Sequence, residues 1–157
     1  MSRLNIISEE ADRELDLIRK TVDELESAVD LADVLGILQG RASLGARVDV
    51  LDLIGHSRSP GFLMIGSWTI DDSPQTAASF SLLLRPLLAE LGICTIRFLG
   101  CSTAATQPAR SAIHRVANAA RCTVLGTRRY LSRNDYGPAG FKSTETLIGG
   151  DGAAAPR

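Results

Sequence analysis

Two apolar runs, Arg47 to Ile54 (RVDVLDLI) and Ile93 to Leu99 (ICTIRFL), constrain the fold of this chain more than any other feature. The first is apolar on both sides of the pleat except at Asp49 and Asp52. A run of this kind suits an inner strand of a parallel sheet, buried on both faces. Cys122 to Gly126 reads as a third strand, and a helix over 108–120, burying Ile113, Val116 and Ala120, lies before it. Between the first two runs lie a hairpin signal and a helix signal. GFLMI and WTI are joined by Gly66-Ser67, a two-residue loop that begins with glycine. Ser73 then caps a helix whose first position is Pro74. Its buried face is Ala77, Phe80, Leu84, Leu87, Leu88 and Leu91; Pro86 should kink it and Gly92 ends it. Strand, helix, strand, helix, strand in this rhythm predicts an α/β domain with right-handed crossovers, a mainly parallel sheet and helices on both faces.

The flanks read differently. Residues 9–33 predict one amphipathic helix, capped by Ser8, with Glu9, Glu10 and Asp12 at the positive end of its dipole. Ile18, Val22, Leu25 and Val29 line its apolar face. Gly36, Gly40 and Gly45 loosen any continuation through 34–45. The expected organisation is therefore an N-terminal helical segment (1–46) on the same domain, a core over 47–148 and a loose tail over 149–157. Turns and a short edge element are expected within 127–148.

The chain has 157 residues, one domain's worth, and its net charge of −1 gives no reason to expect nucleic acid or an anionic membrane as partner. Charge is uneven: residues 1–33 hold ten acids and four bases. An acidic, solvated first helix on a mildly basic body accounts for this, and that helix is the expected surface for any homodimer or protein partner. No basic segment leads into an apolar stretch, and no apolar run is long enough for a bilayer, so neither a signal peptide nor a membrane helix is expected. Three cysteines do not make a disulfide framework, and a reducing cytoplasm is the expected compartment.

Open parallel sheets gather their chemistry at the carboxyl ends of the strands. His56 follows the first strand by two residues and Cys101 follows the second by two. Cys94 and Cys122 start their strands, near the opposite edge, and read as small buried apolar residues. No cysteine or histidine spacing suits zinc, so no metal and no cofactor are expected. A thiol acts as a nucleophile only as thiolate, which an imidazolium or a helix N-terminus favours. Cys101 is placed to have both. Backbone N–H groups around Gly55, Ser57, Gly100 and Ser102 can hold an oxyanion.

A hydrophobic strand ending in Gly-His, then a hairpin, a helix and a hydrophobic strand ending in Gly-Cys resembles the caspase-like (clan CD) cysteine peptidases. The blocks are VDVLDLIGHS and CTIRFLGCSTA, with 45 positions between His56 and Cys101. That separation is most similar to the autoprocessing cysteine protease domains of large bacterial toxins and to uncharacterised bacterial caspase-like domains. The likeness covers about residues 47–141, including VLGTRRYLSRNDYGPAGF after the third strand. It implies a peptide or protein substrate, Cys101 as nucleophile and His56 as acid and base. It also implies that Leu99 lines the specificity pocket and favours neutral side chains, with Asp135 or arginines such as Arg58, Arg128, Arg129 and Arg133 as selectors of charged substrates. One departure is Ser57, where the family has glycine.

Two other readings remain. A domain of the same fold can be catalytically silent and serve as an interaction or regulatory module; Ser57 and the short chain favour that. More distantly, Gly55-His56-Ser57-Arg58-Ser59 resembles the nucleophile elbow of serine α/β-hydrolases, with Ser57 as nucleophile. Ser59 in place of the last glycine, and the strand-like GFLMI that follows, oppose it. His114 lies mid-helix, Trp68 reads as a sheet-packing aromatic, and Asp71-Asp72 read as turn residues.

Overall fold

A computed structural model describes residues 2–153. The chain begins with a strand, β1 (Arg3–Ser8), then α1 (Arg13–Thr21), β2 (Glu26–Ala28) and α2 (Leu31–Ser43). The first apolar run forms β3 (Val50–Ile54), and β4 (His56–Arg58), β5 (Phe62–Ile65) and β6 (Trp68–Ile70) follow it. α3 (Pro74–Ala78) leads through a π-helical turn (Ser79–Leu84) into α4 (Arg85–Leu91) and then β7 (Thr95–Leu99). α5 (Gln107–Ala120), β8 (Thr123–Thr127), a short pair β9 (Tyr136–Gly137) and β10 (Gly140–Phe141), and β11 (Leu147–Ile148) complete it.

One six-stranded sheet in the order β2-β1-β3-β7-β8-β11 organises the molecule. All its pairings are parallel except β8 with β11. The expected α/β class with a mainly parallel sheet is what the structure has. Strand alternation sorts side chains onto two faces. Leu4, Ile6, Leu51, Leu53, Ile96, Phe98 and Val124 join one cluster, covered by α2, by the α3–α4 segment and by α5. Ile7, Ile54, Leu99 and Leu125 join the other, covered by Leu15 and Ile18 of α1 and by Tyr136 and Phe141. On this second face a polar row crosses the sheet, because Asn5 registers with Asp52 and Asp52 with Arg97. The Arg97 guanidinium bonds both oxygens of the Asp52 carboxylate. It also lies over the Phe141 ring, 5.5 Å from the centroid.

The single helix expected over 9–33 is a correction. Asp12 rather than Ser8 caps α1, accepting the Leu15 N–H, and Val22 is already extended. Asp30 caps a second helix, and between the two lies the edge strand β2. Leu25 and Val29 therefore continue no helical stripe; two aspartate caps set two shorter helices. β1 was not expected at all, yet it lies in the sheet interior. The expected hairpin at Gly66-Ser67 is present and extends to a three-stranded antiparallel meander, β4-β5-β6. Gly66 is required there: its φ is +57°, and a Cβ would stand 1.9 Å from the Val29 carbonyl oxygen. The kink expected at Pro86 is taken up as the π turn, where the Arg85 N–H reaches back to the Phe80 carbonyl. Of the expected loose tail, residues 149–153 form a turn closed by Gly149 N–H to the Ala153 carbonyl at 3.0 Å. Residues 154–157 lie outside the described residues. Among the described residues no helix is long and apolar enough to cross a membrane.

Candidate functional site

β3 and β7 are adjacent and in register, with Ile54 opposite Leu99. The next residues continue that contact. The Gly55 N–H donates to the Leu99 carbonyl at 3.2 Å, and the Ser57 hydroxyl donates to the Cys101 carbonyl. His56 and Cys101 thus leave neighbouring strands at the same sheet edge, and both are partly exposed. Close packing demands the glycine at 55 and favours the one at 100. A Cβ on Gly55 would meet the Met64 carbonyl oxygen at 2.1 Å, and one on Gly100 would meet the Gly55 carbonyl oxygen at 3.0 Å.

The His56 ring is held by acids that sequence reasoning assigned only to a helix terminus. Its Nε2 lies 3.0 Å from Asp12 Oδ1 and 3.5 Å from Glu10 Oε1. These come from the loop after β1, whose Ile7 is in register with Ile54. The loop therefore opens at the same edge as His56. The Leu15 N–H is the main cause that holds the Asp12 carboxyl below its ordinary value; burial, next in size, opposes it, and the His56 contact adds a smaller lowering effect. With Nε2 facing the carboxylates, Nδ1 is the nitrogen left to exchange a proton with another group.

The Cys101 sulfur is engaged on the other side. It accepts the Leu131 N–H at 3.3 Å and lies 3.7 Å from the Leu131 carbonyl oxygen. Leu131 belongs to the segment after β8, which wraps the turn at 100–104. The Ser102 N–H donates to the Arg129 carbonyl at 3.0 Å, and the Thr127 hydroxyl donates to the Gly100 carbonyl at 3.2 Å. Among the described residues no hydrogen bond joins Cys101 to His56, and the Cys101 N–H meets no acceptor.

No protein-family model, curated protein or solved structure matches this chain. The arrangement of its own residues therefore carries the functional reading.

The remaining expected site residues are distributed as follows. Of the four backbone donors, the Gly55 and Ser102 N–H groups already serve backbone carbonyls, so neither is free for an oxyanion. Leu99 is buried in the second core cluster, packed with α1 and Phe141, rather than facing an open groove. Asp135 is also buried. Burial alone would push its carboxyl up, but Arg129, the Ser132 N–H and the Ser143 hydroxyl together hold it below the ordinary range. It closes the loop around Cys101 instead of presenting a free charge. Arg58 is exposed on β4. Ser57 runs into a strand and not a helix, which is not the geometry of a nucleophile elbow. Cys94 is exposed and Cys122 half-buried, a correction to the expectation that both fill the core. Both lie where the strands begin, so the last turns of the helices before them leave that edge partly open.

Glu10, Asp12 and Leu131 are the site residues that sequence reasoning missed. The signal for the acids was RLNIIS, a short apolar segment that reads as a strand once its own carboxyl end is asked for. Leu131 had no signal, since its contribution is made by its backbone.

Proposed function

We propose that this domain is a cysteine peptidase-like module of caspase-like type, in which Cys101 attacks a peptide carbonyl and His56 handles the proton. One observation carries the reading: the in-register ends of β3 and β7 deliver an imidazole and a thiol to the same edge, each partly exposed. The order of Gly-His strand, meander, helix and Gly-Cys strand supports the caspase-like assignment.

In the proposed reaction the thiol proton passes to His56 Nδ1 and the thiolate adds to the substrate carbonyl. Asp12 and Glu10 fix the ring through Nε2 and offset the charge that the imidazolium acquires. The Cys101 N–H, which has no acceptor among the described residues, serves as the oxyanion's donor in this reading. His56 then gives the proton to the leaving amine as the tetrahedral intermediate collapses to a thioester. Water hydrolyses the thioester, and His56 first takes and then returns its proton. Before this, substrate must displace the sulfur from Leu131, consistent with catalytic contacts that tighten only in the complex.

A second reading is favoured by that same sulfur contact. A thiol held between the N–H and carbonyl of Leu131, with His56 turned to two acids, suits a catalytically silent interaction module. Alkylation separates the two. In the peptidase reading, iodoacetamide near neutral pH modifies Cys101 roughly tenfold or more faster than exposed Cys94, and His56→Ala abolishes the difference. Mass mapping of the three cysteines reads it directly. If Cys101 reacts no faster than Cys94, the silent module stands.

A further inference from the structure

Cys94 and Cys122 take no part in the site above, and they sit at the other end of the sheet. β7 and β8 are parallel and in register, with Thr95 opposite Thr123 and Ile96 opposite Val124. One step earlier stand Cys94 and Cys122. The pairing continues that far, because the Thr123 N–H donates to the Cys94 carbonyl at 2.9 Å. Cys122 packs against the larger core cluster, which Ile96 and Val124 share, and Cys94 is exposed at the same strand edge. We infer that Cys94 and Cys122 form a reversible dithiol–disulfide pair that a low-molecular-weight disulfide can oxidise.

Geometry favours the pair over any other. Opposed residues on neighbouring strands stand about 4.8 Å apart, within the Cα separations of roughly 4.4–6.8 Å that a disulfide spans. Cys122 Sγ already lies 3.4 Å from the carbonyl oxygen of Ile93, the residue before Cys94. Cys94 Sγ turns the other way, 3.9 Å from the Asp49 carbonyl oxygen. Cys101 is out of reach: seven residues of extended chain separate it from Cys94, about 23 Å.

The exposures set the order of events. Cys94 is open to solvent, so its thiolate attacks one sulfur of the disulfide RSSR, giving the mixed disulfide and expelling RS⁻. Cys122 then loses its proton, attacks Cys94 Sγ and expels the second RS⁻. The two thiolates take up the two protons released by the cysteines. The protein loses two electrons and RSSR is reduced to two RSH. Burial, with the nearby Cys94, pushes the Cys122 thiol up to about 11, so it is the slower, resolving partner.

The test uses the full chain and its Cys101→Ser variant, incubated at mildly alkaline pH with oxidised glutathione and then quenched with N-ethylmaleimide. The expected product has lost two hydrogens, carries no maleimide on Cys94 or Cys122, and yields a peptide pair joined through them. Dithiothreitol restores both thiols. A glutathione adduct that persists on Cys94, or maleimide on both cysteines, overturns the proposal. Peptide mapping of the wild-type chain detects the same cross-link, or its absence, independently of how the variant folds.

Discussion

Replacing Asp52 by Asn tests how the two strands that carry the site are locked together. Asp52 is fully buried and the Arg97 side chain is 7% exposed; they face each other across β3 and β7 through a two-point ion pair at 2.5 Å. Burial pushes the Asp52 carboxyl up, and Arg97 opposes that shift. Asp52→Asn keeps the shape and leaves a guanidinium with no counter-charge in the core. Removing one partner of such a pair costs about 3–5 kcal/mol, a large part of a total stability of roughly 5–15 kcal/mol. At a urea m-value of about 2 kcal/mol/M, the midpoint should fall by roughly 1.5–2.5 M. Replacing both residues together, Asp52→Leu with Arg97→Met, should return stability to within about 1 kcal/mol of the parent, because well-packed apolar side chains substitute for buried pairs. Arg97→Met alone should show a pH signature. It leaves a carboxyl whose folded-state pKa is raised, so the folded state gains protons that the unfolded state lacks. Stability is then greatest below the unfolded value near about 4 and falls as pH rises through the folded one. Urea melts at pH 5 and 8 measure this. A loss under about 1 kcal/mol for Asp52→Asn would refute the picture of a sealed, register-setting pair.

Asp12 has two separable roles. Asp12→Asn should keep the cap on α1 and change stability little, whereas Asp12→Ala should cost about 1 kcal/mol, read by chemical denaturation. In the peptidase reading both should slow Cys101 alkylation, since neither supplies a carboxylate to His56. Asp135 predicts an acid limit of opposite sign to Arg97→Met. Its folded-state pKa is depressed by Arg129, Ser132 and Ser143, so its stabilising effect is present above about 4 and is lost as pH falls through the lower folded value. Asp135→Asn should therefore flatten the acid side of the stability profile, while an unchanged slope below pH 4 would refute that assignment.

The inner strands were legible because Val50–Ile54 and Thr95–Leu99 are interrupted only by Asp52, Thr95 and Arg97, and each is followed by a glycine. The hairpin turn was legible for a local reason too, since Gly66 adopts a backbone few other residues can. What failed in the first third failed by periodicity. Ile18, Val22, Leu25 and Val29 keep helical spacing, but α1 ends at Thr21, the edge strand β2 lies between Leu25 and Val29, and Val29 is exposed just before the cap of α2. Local spacing does not distinguish these cases; the aspartates at 12 and 30 do. The same misreading hid half of the candidate site. Once 9–33 is taken as one helix, Glu10 and Asp12 look like dipole partners, and nothing suggests that β1 brings them to His56. The rest of the site is made by backbone groups of Leu131 and Arg129, which leave no trace in side-chain chemistry.

Gly55 and Gly100 bear on how the site should be judged. A Cβ at 55 would collide with the Met64 backbone, and one at 100 would be tight against the Gly55 carbonyl and the end of the Leu63 side chain. The two glycines would be needed in a silent domain as much as in an active one, so the Gly-His and Gly-Cys motifs lose part of their weight as signs of catalysis. What no packing requirement explains is the remainder. His56 is partly exposed and held by two carboxylates through one nitrogen, and the Cys101 backbone N–H is left without an acceptor. A partly exposed imidazole with one nitrogen held by carboxylates suits the proton transfer of the peptidase reading. The Leu131 contact is the opposing fact, and it is also the one that a substrate can remove. Whether Cys101 outpaces Cys94 toward iodoacetamide therefore weighs these two observations against each other, with the glycines set aside.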